Sequence, residues 1–232
     1  MKKKQHSLGL MYLMTIACIL MILDLGNRTV TVISENVPLP RNTCFIIDAG
    51  HGGVDGGATS CSGKLESAFN LEISLRLRDL LHFLGYETKM IRTSDISVYT
   101  EGHTIAQKKI SDLKKRVRIC NEIENAILLS IHQNIFPDGR YSGAQVFYAA
   151  SDGSKDLATH IQKELIRFLN PGSKRAAKKA SGIYLLEHIQ CKGVLIECGF
   201  LSNPEEEAKL RSADYQRKLS CVIAASVISN LT

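Results

Sequence analysis

Tryptophan is absent from the 232-residue chain, which excludes a sugar-binding platform of the Trp-stacking kind. Cysteine is sparse: there are seven, none in a C-x-x-C pair, so a zinc ribbon and a disulfide-held scaffold are both excluded. Positive charge is in short excess. The formal balance is +6, and Lys2, Lys3 and Lys4 supply three of those charges, so nothing demands a nucleic-acid partner. Gly50, Gly52, Gly53, Gly56 and Gly57 lack the order and the lysine of a phosphate-cradling loop. They are expected instead to let the backbone turn tightly around His51. No repeat and no second domain are visible. What remains is a chain 44% hydrophobic and 22% charged, enough for one domain with a sizeable core.

The only long apolar run is Leu8 to Leu23, 16 residues directly after the basic MKKKQH start. That is the layout of an export signal. It is a little short of the roughly 20 residues of a membrane helix, but no small-x-small cleavage site follows. Residues 1–23 therefore read as an uncleaved signal anchor with the lysines inside. Residues 24–41 read as a polar tether and 42–232 as the exported domain. Export argues against nucleic acid as a partner. Cys44, Cys61, Cys120, Cys191, Cys198 and Cys221 are expected as free thiols, either packed as small hydrophobes or kept reduced by an anaerobic habitat. Several disulfides in protein prepared without reductant would contradict that.

Along the domain, strands alternate with helices. Cys44 to Ala49 is a short apolar run stopped by Gly50, hence a buried strand. Phe69, Ile73, Leu77, Leu80 and Leu84 form one helical stripe in 66–84, ended by Gly85. Further strands are expected at 87–92, 126–132, 144–149 and 193–197. Residues 93–110 are polar and unpatterned and read as a long exposed loop, with Ser111 capping the next helix. Leu157, Ile161, Leu165 and Phe168 mark another helix, Pro204 opens a short one, and Leu219, Ile223 and Val227 mark the last. The fold class is α/β: a single domain with a mostly parallel sheet of about six strands, covered on both faces.

Polar residues interrupt these apolar runs at telling places. Asp48 and His51 lie at the carboxyl end of the first strand, His132 ends the third and Glu197 ends a later one. Ligand crevices in open α/β sheets lie outside those carboxyl ends, so strands distant in sequence deliver His, His and Glu to one edge. Glu66, in the first turn of the helix after the His51 loop, joins them. Two imidazoles and a carboxylate leave one position of a tetrahedral Zn²⁺ open, and zinc lowers the pKa of a bound water to about 7. A second carboxylate that is not a ligand can pass the proton to a leaving amine. Spacing does not decide which glutamate is which: Glu66 and Glu197 could exchange the ligand and acid–base roles.

DAGHGGVDGGA (48–58), Glu66 with Asn70-Leu71, SIHQN (130–134) and IECGFLSNP (196–204) resemble the zinc-dependent N-acetylmuramoyl-L-alanine amidases. The resemblance covers Cys44 to the end of the chain. Residues 100–117, GAQVFY (143–148) and IYLLEH (183–188) are similar to the spore-cortex subgroup of that family. The resemblance implies His51, Glu66 and His132 as ligands of one Zn²⁺ per chain and Glu197 as the catalytic acid/base. It implies a mixed, mostly parallel sheet with helices on both faces. The implied reaction is hydrolysis of the amide between N-acetylmuramic acid and L-Ala in peptidoglycan, ahead of a separate deacetylase that completes muramic δ-lactam formation in cortex. It further implies an extracytoplasmic, membrane-anchored or secreted protein of the forespore intermembrane space, and an accessory sporulation lipoprotein as partner, for which the 93–110 segment is the candidate docking surface.

Asp55, Asn134 and Arg92 are candidates for substrate contacts or for support behind the ligands, with turn and fold roles as the bland alternatives. Gln133 and Ile135 depart from the family's usual residues beside the second histidine, and Ile135 there would narrow the mouth of the site. The runner-up functions keep the metal but change the bond (a carboxypeptidase or a sugar deacetylase), or lose the chemistry and bind wall polymer only.

Overall fold

The computed structural model describes residues 43–231 of the protein. The segments read from the sequence as signal anchor and tether, residues 1–23 and 24–41, therefore lie outside the described residues. Among those described, no helix is long and apolar enough to cross a membrane.

The described residues form six strands and six helices, in the order β1 (Cys44–Ala49), α1 (Glu66–Phe83), β2 (Glu87–Met90), α2 (Ile105–Asn121), β3 (Ala126–Asn134), β4 (Gln145–Tyr148), α3 (Ser154–Phe168), β5 (Lys178–Lys179), α4 (Tyr184–His188), β6 (Lys192–Phe200), α5 (Pro204–Arg211) and α6 (Ala213–Ser229). One sheet takes all six strands in the order β2-β1-β3-β6-β4-β5. Its β2, β1, β3 and β6 run parallel, and β4 is antiparallel to β6. Central strands buried on both faces need near-continuous apolar sequence, and β1 is buried along its whole length.

Alternation along the strands sorts the core into two layers. Phe45, Ile47, Leu129, Ile131, Val194 and Ile196 face a large cluster with α1, α3, α5 and α6, which includes Phe69, Ile161, Leu165, Leu210 and Ile223. Ile46, Leu128 and Leu195 face a smaller cluster with Cys120 of α2 and Leu185 and Leu186 of α4. Both faces are covered, but the second only by one long helix and one of five residues. That thin cover leaves room for a cleft.

Helix α2 departs from the sequence reading: it begins at Ile105 rather than at Ser111, so 93–110 is not a loop throughout. Its early turns carry no apolar stripe, because Ile105 and Ile110 are exposed and the buried residues of the helix are Ser111, Arg116 and Cys120. The start is set by a capping box. Thr104 Oγ1 accepts the Gln107 N–H at 3.2 Å and Gln107 Oε1 accepts the Thr104 N–H at 3.1 Å. Thr104→Ala is expected to cost about 1 kcal/mol by urea unfolding, whereas a cap at Ser111 would make the change neutral. The strand expected at 87–92 ends at Met90, and β3 and β6 run on to Asn134 and Phe200. The sequence pattern predicts neither β5 nor α4; two and five residues are too few to show a period.

Candidate active site

The chain leaves β1 for β2 on one side and returns to β3 on the other, so the β1/β3 boundary is the topological switch point where α/β sheets bind ligands. Asp48 pairs with Ser130 across that boundary, and His132 of β3 pairs with Glu197 of β6. Parallel partners share a face. Asp48, Ser130, His132 and Glu197 therefore all project to the thinly covered side, beneath α2 and α4.

His51, two residues past β1, adopts the left-handed conformation at φ 60°, uncommon for a residue with a Cβ. Two buried guanidinium groups hold this loop by its carbonyls. Arg92 donates to Ala49 O at 2.8 Å, Gly50 O at 2.9 Å and Ser67 O at 2.8 Å. Arg116 of α2 donates to Ala49 O at 3.1 Å and His51 O at 2.8 Å, and its guanidinium pairs with Asp48 and Asp112. Burial opposes charge on Asp48, but Arg116, His132 and the Ser130 hydroxyl hold its pKa below the ordinary value. Gly50 is required by close approach, since a Cβ there would lie 2.2 Å from the His132 ring.

Glu66, at the start of α1, lies between the two imidazoles: its Oε2 is 3.2 Å from His51 Nε2 and its Oε1 is 3.0 Å from His132 Nδ1. The backbone N–H groups of Ala58 and Gln133 and the side chain of Asn70 also donate to this carboxylate. Burial raises its pKa, but the two histidines outweigh that and hold it well below the usual carboxylate range. Asp55 accepts from His51 Nδ1 at 3.0 Å and pairs with Lys109 of α2 at 2.7 Å. A carboxylate on the far nitrogen of a histidine fixes its tautomer and orientation, as behind many metal-ligating histidines. Burial lowers the His51 pKa, but Glu66 and Asp55 prevail and raise it to about 9.

The donor atoms of His51, Glu66 and His132 all lie within 4.8 Å of one another. Two nitrogens and one carboxylate oxygen form a donor set that suits Zn²⁺ and leaves a coordination position open. Glu197 is the partly exposed neighbour of this cluster. Its Oε2 is buried with no hydrogen-bond partner. Burial pushes its pKa up to about 7; His132 and His51 oppose and Glu66 adds to the rise. An enclosed carboxylate that titrates near neutrality can take up and release a proton.

A cavity of about 180 Å³ adjoins the cluster, lined by His51, His132, Lys109, Arg116 and, from the 183–185 segment, Ile183 and Tyr184. A groove of about 490 Å³ along α3 and α6 shares no residue with it. Of the secondary candidates, Asp55 lies behind His51, and Arg92 is buried on backbone carbonyls, outside the lining of the cavity. Asn134 is half-buried at the end of β3, where its carbonyl accepts the Leu201 N–H. Ile135 is half exposed just beyond. The sequence does not announce Lys109, Asp112 or Gln133 as supports of the site. The i, i+4 spacing of Asp112 and Arg116 is the available signal for one of them.

Fold and site together have the make-up of an α/β metallohydrolase. The match to known proteins is narrower. The chain belongs to the N-acetylmuramoyl-L-alanine amidase family, which matches residues 45–229, and is thus a hydrolase of that kind. It is 40% identical over 200 residues to the germination-specific N-acetylmuramoyl-L-alanine amidase of Bacillus subtilis, covering 85% of this chain and 83% of that one. Among solved structures it is similar to the CwlD amidase of Clostridioides difficile, determined in complex with the GerS lipoprotein. There the TM-score is 0.78 at 38% identity, over 82% of this chain and 98% of that one. An N-acetylmuramoyl-L-alanine amidase of Clostridium difficile 630 matches with a TM-score of 0.70 at 29% identity, over 82% and 97%.

Proposed function

We propose that the protein hydrolyses the amide joining the lactyl group of N-acetylmuramic acid to L-Ala in spore-cortex peptidoglycan, preparing the sugar for a separate deacetylase that completes the muramic δ-lactam. The single observation that carries the reading is the unpartnered, near-neutral carboxylate of Glu197 beside the His51–Glu66–His132 cluster. His51, Glu66 and His132 hold one zinc ion. When bound, zinc supplies a Lewis acid that acidifies water and polarises a carbonyl. Glu197 Oε2, with no competing donor, accepts the proton of the attacking water and returns it to the departing L-Ala amine. Asp55 keeps His51 in one tautomer, and Lys109 keeps Asp55 in place. Arg92 and Arg116 hold the loop that carries His51.

The domain, residues 42–232, acts outside the cytoplasm in the forespore intermembrane space, tethered by the amino-terminal anchor. The lipoprotein bound to the similar CwlD supports an accessory lipoprotein partner here. The test digests purified cortex peptidoglycan with the full chain in detergent and identifies products by mass spectrometry. Free stem peptides beginning at L-Ala, lost on chelation, are expected. Release of acetate or of D-Ala alone would assign a different bond.

Metal loading should expel a proton. At pH 7.5 the metal-free His51 is protonated, because its pKa is about 9. Zinc binding is expected to release about one proton from it and to tighten with rising pH until about 9. Calorimetry in buffers of different ionisation enthalpy reads this directly; a pH-independent affinity with no proton release would contradict it.

A further inference from the structure

Away from the cleft, the end of α2 and the start of β6 bring two cysteines together. Cys120 is buried in the last turn of α2, and Cys191, half-buried just before β6, packs against the apolar cluster that contains Cys120. Both are free thiols, and both line a surface crevice of about 350 Å³ with Asn125 and Gln190. Neighbouring bonds hold both backbones. Asn121 Nδ2 donates to His188 O at 3.2 Å, while Asn121 Oδ1 accepts the Gln190 N–H at 2.9 Å. The Ser151 hydroxyl donates to Cys191 O at 2.6 Å. The fold thus holds both cysteines at one crevice.

We propose that Cys120 and Cys191 are a redox pair that closes to an intrachain disulfide when the exported chain meets a disulfide oxidant, either a thiol–disulfide oxidoreductase or a low-molecular-weight disulfide. The crevice gives such a reagent access to the half-buried Cys191. Cys191, the more exposed of the two, is the thiol that meets the oxidant and attacks it as thiolate; its interaction with Cys120 lowers its pKa, while the same interaction and burial raise that of Cys120. Its sulfur attacks the oxidant disulfide RSSR, forming Cys191–S–S–R and releasing one thiol RSH. Cys120, giving up its proton, then attacks the Cys191 sulfur and releases the second RSH. Two electrons pass from the cysteine pair to the oxidant, which ends as two thiols. The bond would fasten the carboxyl end of α2 to the sheet. The same helix carries Lys109, Asp112 and Arg116, so closing the pair stiffens the support of the His51 loop without touching the cleft.

The test takes the full chain, reduced and in detergent, through buffers of defined oxidised-to-reduced glutathione ratio. Free thiols are alkylated after acid quenching and unfolding, and peptides are read by mass spectrometry. The expected result is a single intrachain linked pair, Cys120 with Cys191, with the other cysteines alkylated or, as at exposed Cys61 and Cys221, carrying glutathione. The oxidised protein should melt about 5–10 °C above the reduced form, reversibly with dithiothreitol. Cys191→Ser, and separately Cys191→Ala, should remove the redox-dependent shift while matching the reduced wild type. Alkylation of both cysteines under excess oxidised glutathione, or pairing of either with Cys61 or Cys221, overturns the proposal.

Discussion

Glu197→Gln is expected to lose about 10²–10⁴-fold in turnover on cortex peptidoglycan and yet to make the metal-free protein more stable at pH 8. Both effects have one cause. The folded protein holds the Glu197 pKa at about 7, above the ordinary 4.5, because its Oε2 is enclosed without a donor. Between pH 4.5 and 7 the native state therefore binds more protons than the unfolded chain, and stability falls as pH rises through that window. Gln, which carries no charge, escapes the fall. The gain at pH 8 is on the order of 1–3 kcal/mol, allowing for the part of the side chain that meets solvent, and should vanish near pH 4.5. Zinc beside the carboxylate lowers its pKa, so the gap should narrow in the loaded protein. Chemical unfolding of both proteins at about pH 4.5 and 8, with chelator and with zinc, reads the whole pattern. A variant no more stable than wild type at pH 8 without metal would mean that Glu197 is not held at a cost to the fold.

Arg116→Met should be the most damaging single change outside the reacting groups. It removes the buried partner of Asp48 and Asp112 and two hydrogen bonds to the loop that carries His51. Breaking one side of a buried pair costs about 3–5 kcal/mol, because the remaining charge is left unpaired; for a domain of this size that is a fall in melting temperature of roughly 10 °C. Adding Asp48→Asn removes the orphaned charge and should recover part of the loss. It should not recover zinc affinity, since the His51 carbonyl still lacks its donor and the residue sits at φ 60°. Thermal melts and zinc titrations of the single and double variants separate the two roles. A single variant within about 1 kcal/mol of wild type would show that the pair does not support the fold.

This loop also marks where the sequence stops being readable. The strands at 44–49 and 126–132 and the helix from Glu66 announce themselves by apolar runs and a stripe, and their ends bring His51, Glu66 and His132 to one edge. Glu197 is visible for the same reason, as a charge at the end of an apolar run. The supports are not. Lys109 and Arg116 look in the sequence like solvated charges, and Arg92 can be read there as a substrate contact or as a support; only the packing of α2 over the sheet turns Arg116 inward. The true start of α2 at Thr104 is hidden because its first turns bury nothing, although the Thr104–Gln107 capping box is there to be read. Tyr184 lines the cavity from a helix too short to leave a periodic trace. Nor can spacing distinguish Glu66 from Glu197; in the structure Glu66 bridges both histidines while Glu197 keeps an oxygen without a partner.

That distinction between the two glutamates is the central claim, and diffraction from zinc-loaded crystals on either side of the zinc absorption edge tests it most directly. One ion per chain is expected, bound by nitrogens of His51 and His132 and a Glu66 oxygen at about 2.0–2.2 Å, with Glu197 close by but unbound. An ion held by Glu197 in place of Glu66 would reverse the two roles, and an ion seated elsewhere would contradict the site.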